Sequence, residues 1–240
     1  MIIYPAIDLR GGQVVRLREG DPNRQTVFSD DPTSTALEWI ESGAQWIHMV
    51  NLDGAFAQAN DNSLILERIA AFSAKVQFGG GLRSIDDIAR AFNAGASRAV
   101  IGTAAIQTPE LVVEAIERWG ADAVCVALDA KNGKIATHGW QATVDLTPMA
   151  AGQQMVARGV KHALYTDVNR DGGLSGVNVE GTVQLAQDTG LHVIASGGVS
   201  SLDDIRALAQ RQQVAGAVIG MALYEKKFTL QAALDAAEGH

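Results

Sequence analysis

The chain has 240 residues, 47% of them hydrophobic and 19% charged, which suits one sizeable core and leaves no room for a long disordered tail. Its 27 acidic against 19 basic residues give a formal charge of −8, which disfavours nucleic acid as a partner. Cys125 is the only cysteine, so an internal disulfide and a cysteine metal cluster are excluded, and the absence of a signal-peptide pattern or a span of ~18 apolar residues leads us to expect a cytoplasmic protein with no membrane partner.

Along the chain, short β-rich runs alternate with longer amphipathic stretches. The runs fall at 2–8, 46–52, 75–79, 98–102, 122–129, 162–168, 192–196 and 215–220. Helical patterns such as PTSTALEWIESG, SIDDIARAFNAG and TPELVVEAIERWG lie between them. Ser84 with Asp87 and Ser201 with Asp204 resemble capping boxes, and Gly43, Gly95, Gly120, Gly159 and Gly190 stand where helices should stop. Eight strand–helix pairs predict an α/β fold with a parallel sheet closed into a (β/α)8 TIM barrel, a single domain over 1–240. Pro5 in the first run removes a ladder donor, an objection that seven regular units outweigh. The polar stretch from Glu19 to Pro32 is expected to be a long loop, either a lid or a solvent-exposed spacer.

The two halves repeat one another. VQFGGGLRSIDDI at 76–88 matches VIASGGVSSLDDI at 193–205 with an offset of 117, and AVIGTA at 99–104 matches AVIGMA at 217–222 with an offset of 118. VNLDG at 50–54 matches VNRDG at 168–172, again at 118, and AID at 6–8 matches ALD at 127–129 at 121. Four ordered matches at nearly one offset imply two (β/α)4 half-barrel repeats. Whatever one half binds at its rim, the other can bind opposite, so a ligand with two similar ends is implied.

Gly80-Gly81 and Gly197-Gly198 each follow a strand and precede a helix, with Gly102-Thr103 and Gly220 at the ends of the neighbouring strands. Such glycines let backbone N–H groups and a helix N-terminus approach an anion, so these positions are the expected phosphate cradles, although glycine after a strand is also an ordinary turn former. Asp8 and Asp129 end equivalent strands. In the fifth run, Ala123, Cys125 and Ala127 share the parity of Asp129, which puts small residues and that aspartate towards the barrel interior. Two carboxylates flanking one substrate are what a proton transfer needs, one as acid and one as base. No histidine stands at a matching strand end, so no metal is expected.

Other candidates have two readings. Asp53 is expected to be a turn residue, whereas Asp171 and Thr166 either reach a sugar or satisfy the backbone. Trp140 is core packing or a platform for a flat heterocycle, Arg83 a surface cation or a ligand contact, and Cys125 and His48 are packed strand residues.

PAIDLRGGQVVRL, FGGGLRS, VIGTAA, ALD, HGWQ, TDVNRDG, ASGGVSSLDDI and VIGMALYE together resemble the phosphoribosylformimino-aminoimidazole carboxamide ribotide isomerase family of histidine biosynthesis, over essentially the whole chain. The resemblance implies an Amadori rearrangement of a bisphosphorylated aminoaldose to an aminoketose, without cofactor. It assigns Asp8 as the base at the sugar C2 proton, Asp129 as the acid that opens the ribose, Asp171 as another aspartate near the sugar, and Trp140 as a stacking surface. No obligatory protein partner is expected, and a monomer suffices. Three alternatives remain open. The cyclase subunit of imidazole glycerol phosphate synthase is similar but carries lysine where Arg16 stands; bifunctional isomerases that also take phosphoribosylanthranilate read SGG where this chain has Gly79-Gly80-Gly81; and a binding-only barrel would not need both aspartates.

Overall fold

The computed structural model describes residues 1–18, 20–58 and 62–239. Eight parallel strands close on themselves: β1 Ile2–Arg10, β2 Trp46–Asn51, β3 Lys75–Gly79, β4 Arg98–Ile101, β5 Val124–Ala127, β6 His162–Thr166, β7 His192–Ser196 and β8 Val214–Ile219. Each pairs with its sequence neighbours, and β8 returns to β1. The (β/α)8 barrel expected from the alternation is what the chain forms.

Period-two alternation divides the strand residues between two cores. Tyr4, Ala6, Val100, Cys125, Ala127, Leu164, Ile194 and Val218 fill the barrel interior. Their neighbours, including Ile3, Ile7, Ile47, Met49, Ile101, Val124 and Val126, face outwards against the helices. The helices α1 Pro32–Glu41, α2 Ser63–Ala70, α3 Ile85–Asn93, α4 Glu110–Trp119, α5 Pro148–Val156, α6 Val179–Thr189, α7 Leu202–Ala209 and α8 Leu230–Glu238 follow the strands in turn. Both capping boxes form: the Ser84 and Ser201 side chains accept from the Asp87 and Asp204 N–H groups, and each aspartate reaches back to the cap. Pro5 causes no break, because it is the last residue of β1 paired with β8 and pairing with β2 begins at Ala6.

Three local expectations need correction. The stretch after β1 is not a loop: Gln13–Arg18 and Asp21–Ser29 pair antiparallel as a hairpin beside β1, with Glu19 itself outside the described residues. Strand β5 starts at Val124, because Ala121–Ala123 form a 3-10 turn; Ala123 therefore does not share the inward register. The second strand ends at Asn51, whose side chain accepts from Gly54 N–H and starts a helical turn over Leu52–Ala55. Among the described residues no helix is long and apolar enough to cross a membrane.

Candidate active site

The thirteen positions expected in the site line one cleft at the C-terminal mouth of the barrel: Asp8, Arg83, Trp140, Thr166, Asp171, Asp129, and the glycines and threonine at 80, 81, 102, 103, 197, 198 and 220. In such barrels this end is where loops from separate strands converge.

The alternation that buries Ala6 inside β1 carries Asp8 to the mouth on the same face. Its Oδ2 accepts from Arg16 Nη1 at 2.7 Å. Burial pushes its pKa up to about 6, opposed by Arg16 and reinforced by Asp171. Asp129 stands two residues beyond β5, and its Oδ2 accepts from Trp140 Nε1 at 2.8 Å. Burial raises it too to about 6; hydrogen bonds from Trp140 and Thr166 oppose this, and Asp171 adds to it. Asp171 is raised by burial and held back by Arg16, whose Nη2 lies 3.7 Å from its Oδ1. Among the described residues, three carboxylates thus share one mouth with one ion-paired arginine.

Trp140 rides on a small sheet after β5, built from Ala130–Lys131, Lys134–Thr137 and Ala142–Thr143. Its backbone has φ of +67°, an uncommon value for a large residue. A Cβ on Gly20, at the far end of the hairpin, would lie 2.5 Å from the indole, so the two excursions meet over the cleft. The sheet is anchored where Thr103 Oγ1 accepts from His138 N–H at 2.8 Å.

The glycine pairs serve the scaffold as well as the rim. All four have φ between +81° and +95°. A Cβ on Gly80 would stand 2.2 Å from Asn51 O, and one on Gly197 would stand 2.7 Å from Asp167 O. In each half the pair therefore lets the preceding loop lie directly against it. Gly102 and Gly220 are N-caps of the short helices Thr103–Gln107 and Met221–Tyr224, neither with a side-chain cap. Arg83 lines the cleft while its Nη2 donates to Gly54 O at 2.9 Å.

The repeat does not make every equivalent pair alike. Asp53 is buried and does not line the cleft; its Oδ2 accepts from Gly11 N–H at 2.8 Å and Asn62 Nδ2 at 3.0 Å, whereas its partner Asp171 lines the cleft. Sequence reasoning used Arg16 only to separate two families and assigned it no place in the site. The available signal was a charge inside the apolar alternation VVRL. His48 also lines the cleft, packed as expected, with Nδ1 2.8 Å from Gln77 Nε2. Burial and Arg16 push its pKa down to about 3, so it is neutral at physiological pH. Cys125 lies inside the barrel with its thiol pushed up to about 12 by burial, which makes it inert.

A family model described as histidine biosynthesis protein matches residues 2–229. The chain belongs to this family. It is 46% identical to a protein of Moorella thermoacetica over 98% of this chain and 97% of that relative. It is also 46% identical to one of Syntrophomonas wolfei, over 99% of each, and 44% identical to one of Brevibacillus brevis, over 99% and 96%. All three relatives are named 1-(5-phosphoribosyl)-5-((5-phosphoribosylamino)methylideneamino) imidazole-4-carboxamide isomerase.

Proposed function

We propose that this protein catalyses the aldose–ketose isomerisation for which those relatives are named, an Amadori rearrangement of a bisphosphorylated aminoaldose to the aminoketose. The observation that carries this reading is the contrast between two equivalent aspartates. Asp8 and Asp129 are both buried and both raised to about 6, yet Asp8 faces a cation and Asp129 faces neutral donors. An adjacent guanidinium favours the carboxylate, which suits Asp8 to act as base at the sugar C2 carbon. Among the described residues no cation stands against Asp129, and the negative charge of nearby Asp171 favours its protonated form, which suits it to give a proton to the ring oxygen. Protonation of the ring oxygen breaks its bond to C1, loss of the C2 proton gives an enaminol, and the ketone forms as the C2 hydroxyl loses a proton and C1 gains one; the net change is an isomerisation, so no redox partner is needed. Asp171 is the weaker donor candidate, because Arg16 opposes its protonation.

The rest of the site divides by ligand part. Gly80, Gly81, Gly102 and Thr103 cradle one phosphate, and Gly197, Gly198 and Gly220 the other. Trp140 stacks on the heterocycle, Thr166 supports Asp129, and Arg83 reaches the carboxamide or the adjoining phosphate. We take residues 1–240 as one barrel domain, working in the cytoplasm as a monomer on a small molecule, with neither metal nor obligatory protein partner.

The test is turnover of chelator-treated protein on the bisphosphate aminoaldose, beside Asp8→Asn and Asp129→Asn with binding measured for each. Metal-independent isomerisation, with both variants binding but slowed on the order of a thousandfold, is expected. Tight binding without turnover by the parent would sink the reading in favour of a binding-only barrel. Ring closure with ammonia as co-substrate would favour the cyclase instead.

A further inference from the structure

Arg16 is, among the described residues, the cation that meets carboxylates from both barrel halves. It arrives from outside the barrel, on the hairpin strand Gln13–Arg18, where it is paired with Thr26 and flanked by buried Val15 and Leu17. Its guanidinium lies 2.7 Å from Asp8 of β1 and 3.7 Å from Asp171 beyond β6, and the residue is only 7% exposed. Its Nε is buried without a hydrogen-bond partner. The side chain is therefore not placed by satisfying all its donors. The two carboxylates place it, together with the space left by Gly220: a Cβ there would stand 2.6 Å from Arg16 Cζ. A side chain at position 220 would therefore compete with the Arg16 guanidinium for that space.

We propose that Arg16 is a positioning residue coupling the two halves of the site, orienting the Asp8 carboxylate for proton abstraction and tying it to Asp171 through one planar fork. This rests on the isomerase reading for its catalytic consequence, though not for the coupling itself. The planar fork matters because its separate N–H groups face two carboxylates at once, whereas an ammonium is a compact point charge on a flexible stem. Around Asp8 the charged and titratable groups are Arg16 from the hairpin, Asp171 from the segment after β6 and Tyr224 from the short helix Met221–Tyr224, with Asp129 further round the mouth and neutral His48 on β2 beside Arg16. Arg16 is the only cation in that set. Its removal leaves Asp8 among acids alone, and its displacement by a side chain at position 220 should have the same effect with every charge retained.

The experiment compares Arg16→Met, Arg16→Lys and Gly220→Ala with the parent from about pH 5 to about pH 9, separating kcat from KM. Asp8 is also titrated by carboxyl NMR in the ligand-free proteins. In Arg16→Met and Gly220→Ala the acid limb of kcat should move up by about one unit or more, with kcat at neutral pH down roughly thirtyfold and partly restored at higher pH. Arg16→Lys should fall between these variants and the parent. A loss confined to KM with an unmoved acid limb would overturn the proposal and make Arg16 a substrate contact. Should the parent show no isomerisation, the isomerase reading fails by itself; the NMR titration still decides, with an upward shift in Arg16→Met supporting the coupling and an unchanged Asp8 refuting it.

Discussion

The two halves of this barrel carry the same motifs at the same strand ends but are decorated differently. After β1 the chain makes a long hairpin that brings an arginine to Asp8; after β5 it makes a small three-stranded sheet that brings an indole to Asp129. The comparison teaches that duplication supplies position while the excursions supply chemistry. A carboxylate beside a guanidinium and a carboxylate beside neutral donors are different reagents, even when burial raises both by a similar amount.

The sharpest way to break this comparison is at the aspartates of the second and sixth loops. Asp171→Asn should lower turnover roughly a hundredfold, since it borders both candidate proton carriers, while Asp53→Asn should leave turnover within a few-fold. Steady-state kinetics of the two variants side by side checks this. Equal losses would mean that the halves are functionally symmetric and that the fork between Asp8 and Asp171 has no special standing.

A smaller effect is expected at the indole. Trp140→Phe keeps a smaller aromatic face and removes the N–H that reaches Asp129. Turnover should fall about tenfold, with substrate binding little changed. A large loss of binding with unaltered kcat would instead mean that Trp140 acts through its stacking face alone and that its N–H does nothing for the acid.

The smallest effect is on stability, and its sign is set by the direction of the Asp129 shift. Its folded pKa, about 6, lies above the unfolded value of 3.8, so the protonated form favours folding and the ionised form opposes it. The stabilisation is complete below the unfolded value and is lost as pH rises through about 6. Asp129→Asn, which cannot ionise, should therefore be more stable than the parent at pH ~8, by up to about 3 kcal/mol, with the gain vanishing below pH ~4. Denaturant melts at the two pH values check this. A variant less stable than its parent at pH ~8 would show that the Trp140 and Thr166 hydrogen bonds outweigh the cost of burying the charge.

Much of the architecture was legible along the chain because it is written in local, periodic signals. Alternation of small and branched residues in β5 set Cys125 and Ala127 inside and Val124 and Val126 outside, Ser84 and Ser201 with their aspartates marked helix starts, and the repeat paired Asp8 with Asp129. Those features depend on residues within a few positions of one another, or on comparing two stretches of one chain. What only the tertiary structure decided are the contacts between excursions from different strands: the hairpin where polar composition suggested a loop, Arg16 between Asp8 and Asp171, Gly220 making room for it, and the divergence of Asp53 from Asp171. No periodicity encodes these, because a long side chain finds its partner through the closing of the barrel, which brings residues 16, 171 and 220 to one point from three separate parts of the chain.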